Sequence, residues 1–263
     1  MENSKRPKVG LALGAGSARG LAHIGVLKEL EALNVPIDYI AGTSMGALVG
    51  SFYSVGIKPE MISKLALNLS SGSWTDWSIP KKGLIAGDKI QEMLKILTKS
   101  KTFEQTDIPF KAVATDINNG DCVVIDKGPI HQGVRASISI PGIFNPVEYQ
   151  GRLLVDGAVV ERVPISVVKQ MGADIVIAVD VTSYKKDAKV NNILSVLMQT
   201  FDIMENQLLK YKIIDYDIII KPNVADIEGM QFDRVEEGVL AGQKAVQDKK
   251  DEILKVLKGG GIV

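Results

Sequence analysis

The stretch that most constrains the fold runs from Tyr39 through Gly42-Thr43-Ser44-Met45-Gly46 to Phe52. An apolar run, Tyr39-Ile40-Ala41, meets a G-x-S-x-G segment, and the small and apolar residues Ala47 to Phe52 follow it. Read locally this is strand, sharp turn and helix with a serine at the turn. Such an elbow lifts the hydroxyl out of the sheet top, and the flanking glycines remove side chains that would clash. A glycine-rich turn that merely contains a serine has the same five residues, so the motif counts only in its confirming context.

That context is a chain of alternating strands and helices. Val9 to Leu13 reads as a short buried strand, followed by the turn Gly14 to Gly20 and a helix carrying Leu21, Ile24, Val26, Leu27, Leu30 and Leu33. Further helices are expected over Leu48 to Val55, from Pro59 onward, from an Asp88/Gln91 capping box, and over Ile130 to Ser137 and Pro164 to Met171. Phe110 to Thr115 and Cys122 to Ile125 should form a hairpin around Asn119-Gly120. Ile138 to Pro146 reads as a loop, and Tyr149 to Arg152 as a turn between short strands. Leu153 to Val155 is a strand that ends at Asp156-Gly157. Asp174 to Val181 is apolar enough to be a central strand, and Asp217 to Ile220 is another. Asn192 to Tyr211 is expected as an amphipathic core helix with Ile193, Leu197, Phe201, Met204 and Leu208 inward. Asp233 and Glu236 should cap a last helix running toward Leu257. Ser70 to Gly83, with Trp74 and Trp77, reads as a surface segment. With no repeat and no linker composition, residues 1–263 read as one α/β domain with a mostly parallel sheet.

The 31 basic and 31 acidic residues balance, so no global field argues for nucleic acid. The single cysteine, Cys122, excludes an internal disulfide and points to a reducing, cytoplasmic setting; it is expected as a small buried strand residue. The apolar run Val9 to Leu13 is too short for a secretory leader, and nowhere are there 18 uninterrupted apolar residues. Membrane contact is therefore expected to be peripheral, at the inner surface.

The loop Gly14-Ala15-Gly16-Ser17-Ala18-Arg19-Gly20 admits three readings. A dinucleotide site is disfavoured: the glycine spacing is one residue too long, and Asp38 precedes the second strand instead of ending it. A structural tight turn is the second. The third is an oxyanion hole, since loops after neighbouring parallel strands share one sheet edge and amides at a helix start point at negative charge. Arg19 would then hold the loop or meet an acidic headgroup.

A serine nucleophile needs a base. Only His23 and His131 exist, both on or near helix starts, and nothing after residue 131 supplies an imidazole. The chain order Ser, acid, His of ordinary α/β-hydrolases is thus excluded. A carboxylate remains. Asp156, at a strand end on a glycine turn, is one candidate; Asp116, Asp180 and Asp217 also border strands.

Three ordered stretches, Gly14 to Gly20, Gly42 to Gly46 and Asp156-Gly157-Ala158, together resemble the patatin-like phospholipase family. Arg135-Ala136-Ser137-Ile138-Ser139-Ile140-Pro141-Gly142 is similar to its bacterial members, and the resemblance covers about residues 8–182. It implies a three-layer α/β/α sandwich and a Ser–Asp dyad without histidine, matched here by Ser44 and Asp156. It also implies a glycine-loop oxyanion hole, matched by backbone at Ala15, Gly16 and Ser17, with Met45 completing it and Gly14, Arg19 and Gly20 supporting the loop. Bacterial relatives usually carry glycines where Ala15 and Ser17 stand; a positive φ at either would cost about 1–2 kcal/mol.

The expected chemistry is hydrolysis of a lipid or small acyl ester through an acyl-serine, with no metal and no cofactor. Two alternatives stay open. One is acyl transfer, which a histidine beside Ser44 would favour. The other is a non-catalytic lipid binder, with Trp74 and Trp77 or the helix of residues 192–211 as anchors.

Overall fold

The computed structural model describes residues 6–68, 76, 82–182, 190–211 and 215–262. Strand β1 (Val9–Leu13) leads through a tight 3-10 turn (Ser17–Leu21) into α1 (Ala22–Ala32). β2 (Tyr39–Thr43) turns at Ser44 into α2 (Met45–Ser54), and α3 (Pro59–Asn68) follows. Next come β3 (Gly83–Ile85), α4 (Asp88–Leu97), the hairpin of β4 (Phe110–Asp116) and β5 (Cys122–Ile125), and α5 (Ile130–Ser137). β6 (Gly142–Phe144), β7 (Val147–Tyr149) and β8 (Arg152–Asp156) precede α6 (Ile165–Gln170) and β9 (Ile175–Val179). The described chain closes with α7 (Ile193–Tyr211), β10 (Ile218–Ile220), α8 (Val235–Asp248) and α9 (Lys250–Gly259).

The main sheet runs β10-β9-β1-β2-β4-β8-β7, with β5 on the other edge of β4. The five strands from β10 to β4 are parallel, and β5, β8 and β7 join antiparallel. Strand side chains alternate between two apolar layers. Leu11, Leu13, Ile40, Ile177 and Val179 enter the larger core. Ala12, Ala41, Val113, Val176 and Ala178 face a smaller one built with Val167 and Val168 of α6. Small residues on that second face let the short α6 lie close. This is the expected three-layer α/β/α sandwich. On the larger face α1 crosses α8 at backbone contact: a Cβ on Gly25 would sit 1.9 Å from the Val239 carbonyl oxygen.

The register of β4 positions the site. Residues 112–115 of β4 pair with β5 on one edge. On the opposite edge Val113 pairs with Thr43 of β2, and the next residue, Ala114, pairs with Asp156 of β8. β2 and β8 therefore meet end to end along one edge of β4, C-terminus facing C-terminus.

Several local expectations are corrected. The Asp88/Gln91 capping box does not form. Gly87 takes the N-cap position in the left-handed region (φ 87°), and the carboxylate of Asp76, from outside the helix, accepts the Gly87 and Asp88 amides, each at 2.8 Å. Residues Gly142–Phe144, expected as loop, form a strand parallel to β3. The last helix is two, broken at Lys249; its N-cap is Arg234, with no side-chain cap from Asp233. Cys122 is exposed, because it opens the edge strand β5, of which only Ile125 is fully buried. On α7, Leu197 packs against the core as expected, together with Met198, but Ile193 and Met204, also expected inward, are 75% and 53% exposed. Trp74 and Trp77, and the side chain of Leu208, lie outside the described residues. Among the described residues no helix is long and apolar enough to cross a membrane.

Candidate active site

The elbow at the end of β2 is as tight as its glycines require. Ser44 has φ 54° and ψ −122°, outside the regions an L-residue prefers and costing on the order of 1–3 kcal/mol. The surroundings hold it there. Its amide donates to Ser137 Oγ at 2.9 Å, and Ser137 Oγ donates onward to the Val113 carbonyl at 2.6 Å. Gly46 lies against β1: a Cβ there would be 2.1 Å from the Leu13 carbonyl oxygen.

Ser44 Oγ donates to Asp156 Oδ2 at 2.6 Å. The other carboxylate oxygen, Oδ1, accepts the Ala158 amide at 2.9 Å, and the Asp156 amide donates to the Ser139 carbonyl at 2.9 Å. Both residues are buried. Burial raises the Asp156 carboxyl from its ordinary 3.8 to about 6, against the pull of the Ser44 and Ala158 hydrogen bonds and the nearby Arg162 charge. A carboxylate with that affinity accepts a serine proton more readily than an ordinary aspartate and is still ionised at neutral pH. Of the other candidates, Asp116 Oδ1 accepts the Asn118 amide, Asp180 Oδ1 the Thr182 amide, and Asp217 Oδ2 the Val176 amide. Each of these closes a local turn or strand end.

Neither histidine is on Ser44. His23 is fully buried and its Nε2 lies 2.7 Å from the Gly14 carbonyl oxygen. A carbonyl only accepts, so Nε2 carries the proton. Burial lowers the His23 pKa to about 4, which keeps the ring neutral. His131 is half-buried on α5.

The Gly14–Gly20 loop is fastened from several sides. The Gly14 amide donates to Val179 O at 3.0 Å and the Ala15 amide to Arg162 O at 2.9 Å. Ala15 is thereby committed and drops out of the expected anion-facing set, because its N–H points back at the chain before α6. Among the described residues, the Gly16, Ser17 and Met45 amides donate to no protein acceptor. Ser17 carries the positive φ, 50°, that relatives with glycine there would adopt freely. Its hydroxyl donates to the Gly229 carbonyl and the Ala18 amide reaches the same oxygen at 3.1 Å, which offsets the strain. Arg19 does not reach toward solvent. Its guanidinium makes a two-pronged pair with Asp202 of α7, both contacts at 2.8 Å, and its Nε donates to Ile227 O.

Two hollows flank Ser44. One is apolar, with about 990 Å³ of space when its open mouth is included, and runs from Ser44 and Met45 past Leu48 and Phe52 to Ile62, Leu65, Ile90 and Met93. The other is smaller and lies beside Asp156, Gly16, Arg19, Arg162 and Asp202. The size and lining of the first suit an apolar small-molecule chain.

The model of the family described as patatin-like phospholipase matches residues 11–169, which include Ser44 and Asp156. The chain belongs to the patatin-like phospholipase family. An uncharacterized NTE family protein of Mycobacterium tuberculosis is 37% identical over 73% of this chain and 55% of its own length. A protein named lysophospholipase NTE1 from Meyerozyma guilliermondii is 32% identical over 70% of this chain and 13% of its own length. The chain thus spans about half of the mycobacterial relative and a small part of the yeast one. Among solved structures, VipD from Legionella pneumophila superposes with a TM-score of 0.66 over 94% of this chain and 67% of VipD, at 13% identity. The type III effector ExoU superposes at 0.52 over 96% and 54%, at 11% identity. At these identities the two structures show a shared fold.

Within this patatin-like frame the similar stretch 135–142 has a supporting place. Arg135 donates to the carbonyls of Gly87, Ala86 and Asn145 and to Ser139 Oγ, tying α5 to β3 and β6. Ser137 is marked in the sequence only as part of that stretch, whereas Asp202 and Arg162 carry no signal there. Arg162 is buried beside Asp156, and its Nε donates to Thr182 Oγ1 at 2.6 Å. No local pattern marks Asp202 or Arg162; both meet the site only through long-range packing.

Proposed function

We propose that this chain is a serine-dependent lipid acyl hydrolase, in which Ser44 is the nucleophile and Asp156 its base. The observation that carries this is the 2.6 Å hydrogen bond between the two, with Ser44 lining an apolar pocket. Ser44 Oγ attacks the ester carbonyl carbon as its proton passes to Asp156. The carbonyl oxygen becomes an oxyanion facing the amides of Gly16, Ser17 and Met45, at the loop and the first turn of α2. On collapse the C–O bond to the alcohol breaks, and the alcohol leaves with the proton from Asp156. Water then gives a proton to Asp156 and attacks the acyl-serine, which releases the carboxylic acid and restores Ser44. The apolar pocket takes the acyl chain. The smaller hollow, with Arg19, Asp202 and Arg162, takes the polar alcohol part. The name lysophospholipase carried by yeast relatives agrees with a lipid ester as substrate. Residues 1–263 act in this reading as one domain.

The test is a panel of phospholipids, lysophospholipids and nitrophenyl esters on wild type and Ser44→Ala, with fluorophosphonate labelling. Ester hydrolysis and label are expected in wild type and lost in Ser44→Ala. Full hydrolysis by Ser44→Ala refutes the assignment.

A further inference from the structure

The apolar pocket borders a second hollow. Beyond its far end lies an open hollow lined by Asp88, Lys89, Glu92, Ile96 and Leu97 of α4, and the two spaces share Leu65 of α3 and Met93 of α4. Ile62 and Ile90, deeper along the same helices, are buried, whereas Leu65 and Met93 are half-buried and Ile96 is 73% exposed. Among the described residues, the two spaces are thus parted by two flexible, unbranched-at-Cβ apolar side chains with no polar group on them. Met in particular re-packs at low cost. The charged heads of Asp88, Lys89 and Glu92 are exposed, so they sit in water around the outer mouth. Among the described residues lining the pocket itself, only Ser17 and Ser44 are polar.

We infer that Leu65 and Met93 form a gate through which a long acyl chain runs from Ser44 out between α3 and α4, so that the protein selects esters of one long-chain acyl group. The inference rests on the hydrolase reading and adds its substrate class and two specificity-determining residues. A closed pocket would impose a maximum chain length. A gated one gains from each methylene until the chain reaches the gate and then tolerates further length, because the excess lies at the surface.

The experiment measures kcat/KM for nitrophenyl esters from butyryl to palmitoyl, in detergent micelles of fixed composition, for wild type, Met93→Trp and Met93→Ala. In wild type the value should climb by up to about four-fold per methylene, the rate equivalent of burying one CH₂, and then level off without falling. Met93→Trp should lower the palmitoyl-to-butyryl ratio by roughly ten- to hundred-fold, the effect of overfilling a packed passage. Met93→Ala, which only removes atoms, should hold or raise that ratio. A wild-type profile that collapses beyond medium chains overturns the gate. So does an unchanged ratio in Met93→Trp, or a lowered one in Met93→Ala. If wild type hydrolyses none of the esters, the hydrolase reading itself falls.

Discussion

Asp156→Asn separates catalysis from stability in opposite directions. The asparagine keeps a carbonyl oxygen for the Ala158 amide and another polar atom beside Ser44, so the shape of the site is retained. It removes the proton acceptor, and kcat should fall by about 100- to 10,000-fold. Stability should move the other way at neutral pH. The folded-state value of about 6 lies above the ordinary 3.8, so between these pH values the folded protein holds a proton that the unfolded chain has released. In wild type this group's contribution to stability is fully present below about pH 4 and is lost as pH rises through 6. The rise from 3.8 to about 6 corresponds to about 3 kcal/mol. Asparagine has no such ionisation. Urea unfolding should therefore give the two proteins similar stability at pH 4, with the variant ahead by up to about 3 kcal/mol at pH 8, or roughly 6–12 °C in Tm. Parallel stability profiles across pH 4 to 8 would refute the claim that a buried, ionised Asp156 is held against its own desolvation. An unchanged kcat would refute its role as base.

The same carboxylate sets a pH dependence of rate: kcat/KM should fall ten-fold per pH unit below about 6, as Asp156 is protonated, and a flat profile from pH 8 to 5 would contradict it. Ser137→Ala leaves the Ser44 amide and the Val113 carbonyl without their shared partner; a stability loss of about 1–3 kcal/mol and a lower kcat are expected from denaturation and ester assays. Asp202→Ala strands the buried Arg19 guanidinium, and urea unfolding should show a loss of about 3–5 kcal/mol. Gly46→Ala drives a methyl into the Leu13 carbonyl, so the variant should be recovered poorly as folded protein, with a lowered Tm in whatever folds.

Much of the fold was legible because its elements carry their own local signals. α5 begins and ends at the residues its pattern indicated, and the Asn119-Gly120 hairpin and Gln150-Gly151 turn formed where those residues stand. The misread pieces depend on distant partners. The cap of α4 comes from Asp76, twelve residues before Asp88. β6 is a strand only because β3 lies beside it. On α7 the buried side includes Leu197, as the periodicity indicates, but also a charge, Asp202, that Arg19 neutralises, while Ile193 and Met204 face outward.

The sequence by itself determined that a serine sits in a glycine-flanked elbow, that a glycine-rich loop follows the first strand, and that no histidine stands where a conventional triad needs one. Short-range sterics and a residue count suffice for those statements. Which carboxylate Ser44 meets was decided only by tertiary structure. Four aspartates border strands, and residue types do not rank them. The register along β4 does: Val113 holds Thr43 and Ala114 holds Asp156, so two strand ends 113 residues apart in sequence abut on one edge. The same holds for the amides of the glycine loop. Ala15 looks equal to Gly16 and Ser17 in the sequence, and only the Arg162 carbonyl, brought in by the chain before α6, takes it out.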